Sequence, residues 1–387
     1  MSELAASVVM PHHPTPTALF GLAAIAIAAT LPRLSAADYY VYYGTAQGGA
    51  GKGISLGHFN SDTGALTKPV LAAEANGPSF FTLAADGKHL YACLENANKV
   101  AAYAIDGATG ALKQLNVVDS GGSGPCHISL DKTGKFALVA NYNSGQVTVL
   151  AIQADGSLGA QTGADKHEGT GPDKDRQEGP HAHSIILDPT NKFALSADLG
   201  NDKIYVYKFD AATGKISANT PAFGMVKPGA GPRHLLFSPN GKVLYCITEM
   251  GATVTAFNWD GATGTMNEFQ TISTLPADFK AFNKDAEIML SSDGKFLYAS
   301  ARGHDAIAVF AVDAKTGGLS LVQDAPAGGK TPRYYSFDPT GKWIICGHQD
   351  SNTAVVFRVD AATGKLTQHG DPIAATSPIC MGYLAVK

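Results

Sequence analysis

Residues 229–249 read GAGPRHLLFSPNGKVLYCITE, and this stretch sets the pattern for most of the chain. A strand opens at Gly231-Pro232, the chain turns at Pro239-Asn240-Gly241, and a second strand returns through Val243, Tyr245 and Ile247 in alternation. Arg233 and His234 stand at the start of the first strand and Glu249 at the end of the second. An antiparallel hairpin brings these two ends back to one edge of the sheet.

Working outward, the same hairpin recurs. A turn of the Asp/Thr/Asn-Gly-Lys or Thr-Asn-Lys type precedes an alternating apolar strand at Lys88, Lys135, Lys192, Lys242, Lys295 and Lys342. A second turn type, Asp-x-x-Thr-Gly or a shorter variant, begins at Asp62, Asp106, Asp155, Asp210, Asp260, Asp313 and Asp360. A period of roughly 45 to 55 residues with four short strands fits the blades of a β-propeller and excludes helical solenoids, whose units are helix pairs. The first turn type occurs once less than the second, because the strand that should precede the first outer hairpin is missing at the N-terminus. A lone strand, Ser377-Pro378-Ile379-Cys380-Met381, ends the chain and supplies it. The expectation is an all-β, seven-bladed propeller over residues 38–387, with four antiparallel strands per blade and one blade shared by the two chain ends. Such closure removes free sheet edges. The Trp259-Asp260 dipeptide occurs once rather than per blade, so it is no WD40 signal.

Composition agrees with a large, turn-rich core: of 387 residues 45% are hydrophobic and 16% charged, with 43 Gly and 20 Pro. The net charge of −4 and the absence of a basic run argue against a nucleic-acid partner. Five cysteines without a CxxC pair indicate neither a disulfide framework nor a thiolate metal site, and most read as small buried residues in strands. Residues 1–37 read as a signal peptide: an apolar run over 18–31, too short for a stable membrane span, precedes small residues at Ser35-Ala36-Ala37, although no Lys or Arg comes before it. Export to the periplasm or medium follows, as does a cytoplasmic location if the leader is not functional. The protein is expected to be a monomer.

In a propeller blade the innermost strand lines the central channel. Counting each first strand back from its Lys turn aligns Ser79, Cys126, His183, Arg233, Ala286, Arg333 and Ile379 in one column. The next column holds Phe80, His127, Ser184, His234, Glu287, Tyr334 and Cys380, and the second-strand ends give Glu95, Tyr142, Leu199, Glu249, Arg302 and Gln349. Purely structural columns would be apolar or small, since unpaired buried charge is costly. These carry His, Arg and Glu at one end of the channel. Any one of them is as readily an interblade bond as a functional group; the cluster in consecutive blades points to a site. Two polar connections, residues 163–177 (GADKHEGTGPDKDRQ) and 275–285, should rise over the same mouth.

The segments GPCHISLDKTGKFALVANYNSGQVTV, RQEGPHAHSIILDPTNKFALSADLGNDKIYVYKFD and GAGPRHLLFSPNGKVLYCITE resemble the seven-bladed propeller lactonase family, which includes 6-phosphogluconolactonase and carboxy-cis,cis-muconate cyclase types. The resemblance extends from about Tyr39 to the C-terminus. It implies hydrolysis of a sugar lactone with His183, Arg233 and Glu249 as the catalytic set, and it implies no required cofactor or metal. Two family motifs are altered here, to Glu287-Ile288-Met289 and Ser300-Ala301-Arg302-Gly303, which keeps the acid and the arginine and leaves the substrate open.

Opening a lactone needs a base for water, charge stabilisation on the carbonyl oxygen and a proton for the departing alkoxide. His183 suits the base and Arg233 the oxyanion. Arg302 and Arg333 suit a substrate carboxylate or phosphate, and His127, His181, His234 and Glu287 complete the expected substrate-binding set. Glu249 either protonates the leaving oxygen or orients His183. A zinc site built from His181 and His183, two apart on one strand, with His127 or His234 and Glu249, lacks HExxH or Cys-based spacing and ranks below metal-free acid–base chemistry. Two other functions use the same residues: a carboxymuconate-type lactonising cycloisomerase, and a secreted propeller that binds a partner without catalysis.

Overall fold

A computed structural model describes residues 38–46 and 52–386; the expected signal peptide falls outside the described residues. Seven antiparallel sheets form the blades, each beginning with an inner strand: Pro78–Leu83, Pro125–Leu130, Ala182–Leu187, Pro232–Phe237, Lys284–Leu290, Pro332–Phe337 and Pro378–Ala385, numbered here as blades 1 to 7. In blade 7 the C-terminal strand pairs with Asp38–Thr45, so the two ends of the propeller close one sheet as expected. Its outer strand is broken into Ala65–Leu66 and Val70–Glu74, both paired with Gly53–Asn60. Among the described residues no helix is long and apolar enough to cross a membrane.

The core lies between blades rather than inside one. Second strands such as Val243–Thr248 are buried at every position, because alternating side chains face the two neighbouring blades in turn. Phe193, Leu195 and Val206 of blade 3 meet Leu244, Phe257 and Trp259 of blade 4 in one such layer. Outer strands such as Lys215–Met225 have only one neighbour within the sheet and are largely exposed. Tyrosines on second strands fasten the layers. Tyr42, Tyr245 and Tyr298 donate to the carbonyls of Gly110, Gly317 and Gly364, the turn glycines of the following blade, at 2.8, 2.7 and 2.7 Å. The Asp-x-x-Thr-Gly turns read from the sequence therefore also dock one blade on the next. Four of the five cysteines are fully buried, Cys126 is half-buried, and none is paired.

Every inner strand carries a β-bulge at its start. In blade 4 Pro232 pairs with Thr248 and His234 with Ile247, which leaves Arg233 as an extra residue. The same break follows Pro78, Pro125, Ala182, Asp285, Pro332 and Pro378. A regular strand would send neighbouring side chains to opposite faces; a bulge re-aims them. Here it turns consecutive residues such as Arg233 and His234, or Arg333 and Tyr334, to the channel together.

Candidate active site

The bulge column builds the site. At the mouth of the channel, on the face where second strands end, a space of ≈ 200 Å³ is lined by Glu95, Cys126, Tyr142, Arg176, His183, Glu249, Lys284, Arg302 and Arg333. Below it a chamber of ≈ 20 Å³ is shared by His183, Arg233, His234 and Arg333 with Ser79, Phe80 and Tyr334 among its walls. Glu95, Cys126, His183 and Arg333 line both.

Glu249 is the hub. Its Oε2 accepts from Arg302 Nη2 at 2.7 Å and from Arg233 Nε at 3.2 Å, and lies 3.8 Å from His183 Nε2; its Oε1 accepts from Arg176 Nη2 at 2.8 Å. Burial alone would raise this carboxyl, but Arg302, Arg233 and the other cations outweigh it and hold Glu249 well below the ordinary carboxylate range. It is therefore ionised at neutral pH: it accepts hydrogen bonds and has no proton to supply. Of the two roles the sequence left open, protonation of the leaving oxygen is the one this environment disfavours.

Burial, reinforced by Arg233 and His234, pushes His183 well below the usual histidine value, so the ring is neutral at pH 7. Its Nδ1 is buried with no hydrogen-bond partner, whereas Nε2 faces Glu249 and the mouth. Beneath it, Arg233 is 3% exposed and donates through Nη1 to Ala286 O at 2.6 Å and to His234 Nε2 at 3.3 Å. That bond makes His234 Nε2 an acceptor and leaves Nδ1–H to donate to Glu287 at 3.1 Å. Burial and the Arg302 charge, partly offset by Glu249, lower Arg233 to about 9, which still leaves it cationic at pH 7.

His183, Arg233, Glu249, Arg302 and Arg333 thus come together, with His234 beside Arg233. His127, His181 and Glu287 do not line either space. His127 stacks on Phe80 at 4.5 Å, and Glu287 is a buried partner of His234. His181 precedes the strand and lies flat on Tyr142 at 4.4 Å with its Nε2 on Glu178, so the expectation that it points with His183 does not hold; the bulge breaks their two-residue relation. Among the described residues no three His, Cys, Asp or Glu side chains come together as a metal-holding group.

Arg176 and Lys284 were not singled out from the sequence. The first four residues of the polar stretch 163–177 belong to the outer strand Leu158–Lys166, and the connection proper spans 167–181. His167 in it is structural, fully buried between Asp198 and Tyr207. Arg176 instead reaches Glu249 and Tyr142, and Lys284, at the end of connection 274–283, points over Phe282 at 5.3 Å while lining the mouth. The available signal was an Arg on one long connection and a Lys directly after the other, in an otherwise short-looped ring.

Burial raises Glu287 from 4.5 to about 7, against the opposing pull of Arg233. The folded state therefore binds more protons than the unfolded between pH 4.5 and 7, and this stabilisation, full below pH 4.5, is lost as pH rises through 7. Glu287→Gln should accordingly stabilise the fold at pH 8 by an amount on the order of 2–3 kcal/mol, read as a higher thermal midpoint, and the gain should vanish by pH 4. A lower midpoint than wild type at pH 8 would contradict this reading.

With this geometry established, the chain can be set beside known proteins. The family model described as Lactonase, 7-bladed beta-propeller matches residues 40–383. The 6-phosphogluconolactonase of Bacillus subtilis is 36% identical over 350 residues, covering 89% of this chain and 98% of that protein. A 6-phosphogluconolactonase of Formosa agariphila is 34% identical over 329 residues, covering 82% and 91%. The solved structure of a periplasmic gluconolactonase from Pseudomonas aeruginosa superposes with a TM-score of 0.86 at 31% identity, covering 90% of this chain and all of that one. The ring, its shared blade and the matched length together make this chain a member of the seven-bladed β-propeller lactonase family, a family of lactone-hydrolysing enzymes.

Proposed function

We propose that the protein hydrolyses a sugar lactone carrying a negative charge, by acid–base chemistry of its own side chains at the channel mouth. One observation carries the reading: a neutral His183 lies beside a carboxylate and three guanidinium groups in one buried cluster. His183 Nε2 takes a proton from water as the water oxygen bonds to the lactone carbonyl carbon. Arg233 and Arg333, which share the lower chamber with His183, carry the charge on the carbonyl oxygen. When the ring C–O bond breaks, the imidazolium returns the proton to the departing alkoxide, so one water is added in total. Glu249, 3.8 Å from His183 Nε2, stabilises the charged form of His183 through its own negative charge. At the mouth, four cations (Arg176, Lys284, Arg302, Arg333) face two anions (Glu95, Glu249), which favours a phosphate or carboxylate on the substrate. The donor set supports chemistry without a metal, since the cations already supply charge stabilisation.

Purified protein is assayed in a pH-stat against 6-phosphogluconolactone, gluconolactone and carboxymuconate. The expected result is hydrolysis of the sugar lactones, faster for the phosphorylated one. Turnover of carboxymuconate alone would establish the cycloisomerase, and no turnover of any would favour the binding module. Export is proposed on the leader and finds support in the periplasmic relative; N-terminal sequencing that returned an intact Met1 from a cytoplasmic fraction would refute it.

A further inference from the structure

Asp202 lines neither space of the site, yet it ties together the two arms that reach Glu249 from opposite sides. It occupies the turn between the second and third strands of blade 3, is 2% exposed and has φ of 59°, in the left-handed region. Its carboxylate accepts three bonds. Two come from backbone N–H groups on the approach to Arg233, those of Gly229 to Oδ2 at 2.7 Å and Gly231 to Oδ1 at 2.8 Å. The third comes from Gln177 Nε2 at 2.9 Å. Gln177 also donates to Leu199 O and is itself 1% exposed, so the segment presenting its neighbour Arg176 is anchored rather than free.

The repeat supplies an internal control. The corresponding left-handed position is Asn98, Gly145, Ala252, Asp305 and Asn352 in blades 1, 2, 4, 5 and 6. Asn98, Asp305 and Asn352 each clasp the approach to the next inner strand through one backbone N–H, that of Gly124, Thr331 or Ser377. Gly145 and Ala252 have no side chain to do so, and these two joints carry the long connections 167–181 and 274–283. Asp202 makes the usual clasp to the following blade and, through Gln177, also holds the preceding long connection, which its own blade joint leaves without a clasp at Gly145.

We propose that Asp202 is a positioning residue that sets the spacing of Arg176 and Arg233 across the two oxygens of Glu249. Its kinetic consequence rests on the lactone-opening reading of this site. Asp202→Gly removes the carboxylate while keeping a residue at ease at positive φ, and Asp202→Asn keeps one acceptor oxygen at a position Asn tolerates. With both arms loosened, Asp202→Gly should lower kcat/KM about ten- to a hundredfold, and Asp202→Asn should recover most of it. Adding Asp202→Gly to Arg176→Met should cost less than the product of the single losses, because the part of the Asp202 effect that runs through Gln177 acts on the Arg176 guanidinium. Wild-type kinetics in Asp202→Gly, or a fully multiplicative double variant, would overturn the assignment.

A second readout does not depend on turnover. The Glu249 carboxyl, followed by carbon NMR on glutamate-labelled protein and assigned with Glu249→Gln, should titrate at higher pH in Asp202→Gly than in wild type. An unchanged titration would overturn the positioning role. If wild-type protein opened no lactone, the function would fall while this measurement still decided the role of Asp202. Should Asp202→Gly not fold, Gln177→Met cuts only the Arg176 arm and should move the same Glu249 signal.

Discussion

Glu249→Gln should lower lactone turnover at least about a hundredfold and should also destabilise the fold by about 3–5 kcal/mol, read as a lower urea midpoint. Both losses have one cause. Glu249 neutralises Arg233, which is 3% exposed, and it accepts from Arg302 and Arg176 as well. An amide presents N–H groups to at least one of those guanidinium groups and leaves buried charge unpaired. The pH dependence follows from the lowered carboxyl: its stabilisation is present above the unfolded value near 4.5 and is lost as pH falls through the depressed folded value. The stability gap between wild type and variant should therefore persist at pH 5 and narrow only at more acid pH. A gap that closed between pH 7 and 5 would contradict the ionised state assigned to Glu249.

His183→Ala should behave oppositely with respect to stability. The side chain is buried, but its Nδ1 has no partner and Nε2 only approaches Glu249 at 3.8 Å, so truncation removes no strong bond. Loss of the base should cost about a hundred- to ten-thousandfold in kcat with a near-wild-type melting profile. Because burial depresses the imidazole, wild-type kcat/KM should stay level from neutral pH down past 6.5 before falling, and that acid limb should disappear in the variant. An acid limb centred at 6.5 would mean that His183 is not in the buried environment described here.

These effects trace back to how much of the molecule the sequence discloses. Two turn types with fixed offsets are enough to count blades, and the missing partner of the last strand is enough to close the ring. The column through Ser79, His183, Arg233 and Arg333 is likewise legible, since each lies a fixed distance before its Lys turn. What period-2 reasoning does not disclose is the bulge at that column: it is a backbone event, and it sets Arg233 and His234 on the same channel while detaching His181 from His183. Arg176 escaped notice for a different reason. It sits on a connection whose path depends on Gln177 bonding to Asp202 and Leu199, and long-range bonds of that kind leave no local periodicity. His127 and Glu287 show the converse: polar residues in the right column that the packing of Phe80 and His234 takes up instead.

The central claim is that the buried His183–Arg233–Glu249 cluster opens the lactone, and Arg233→Ala measured beside wild type tests it most directly. Arg233 is anchored to Glu249, Ala286 and His234, so its removal strips positive charge from the chamber while leaving His183 in place. Initial rates of acid release from 6-phosphogluconolactone, corrected for spontaneous hydrolysis, should fall at least about a hundredfold in the folded variant. Equal rates in variant and wild type would show that the lactone is opened elsewhere.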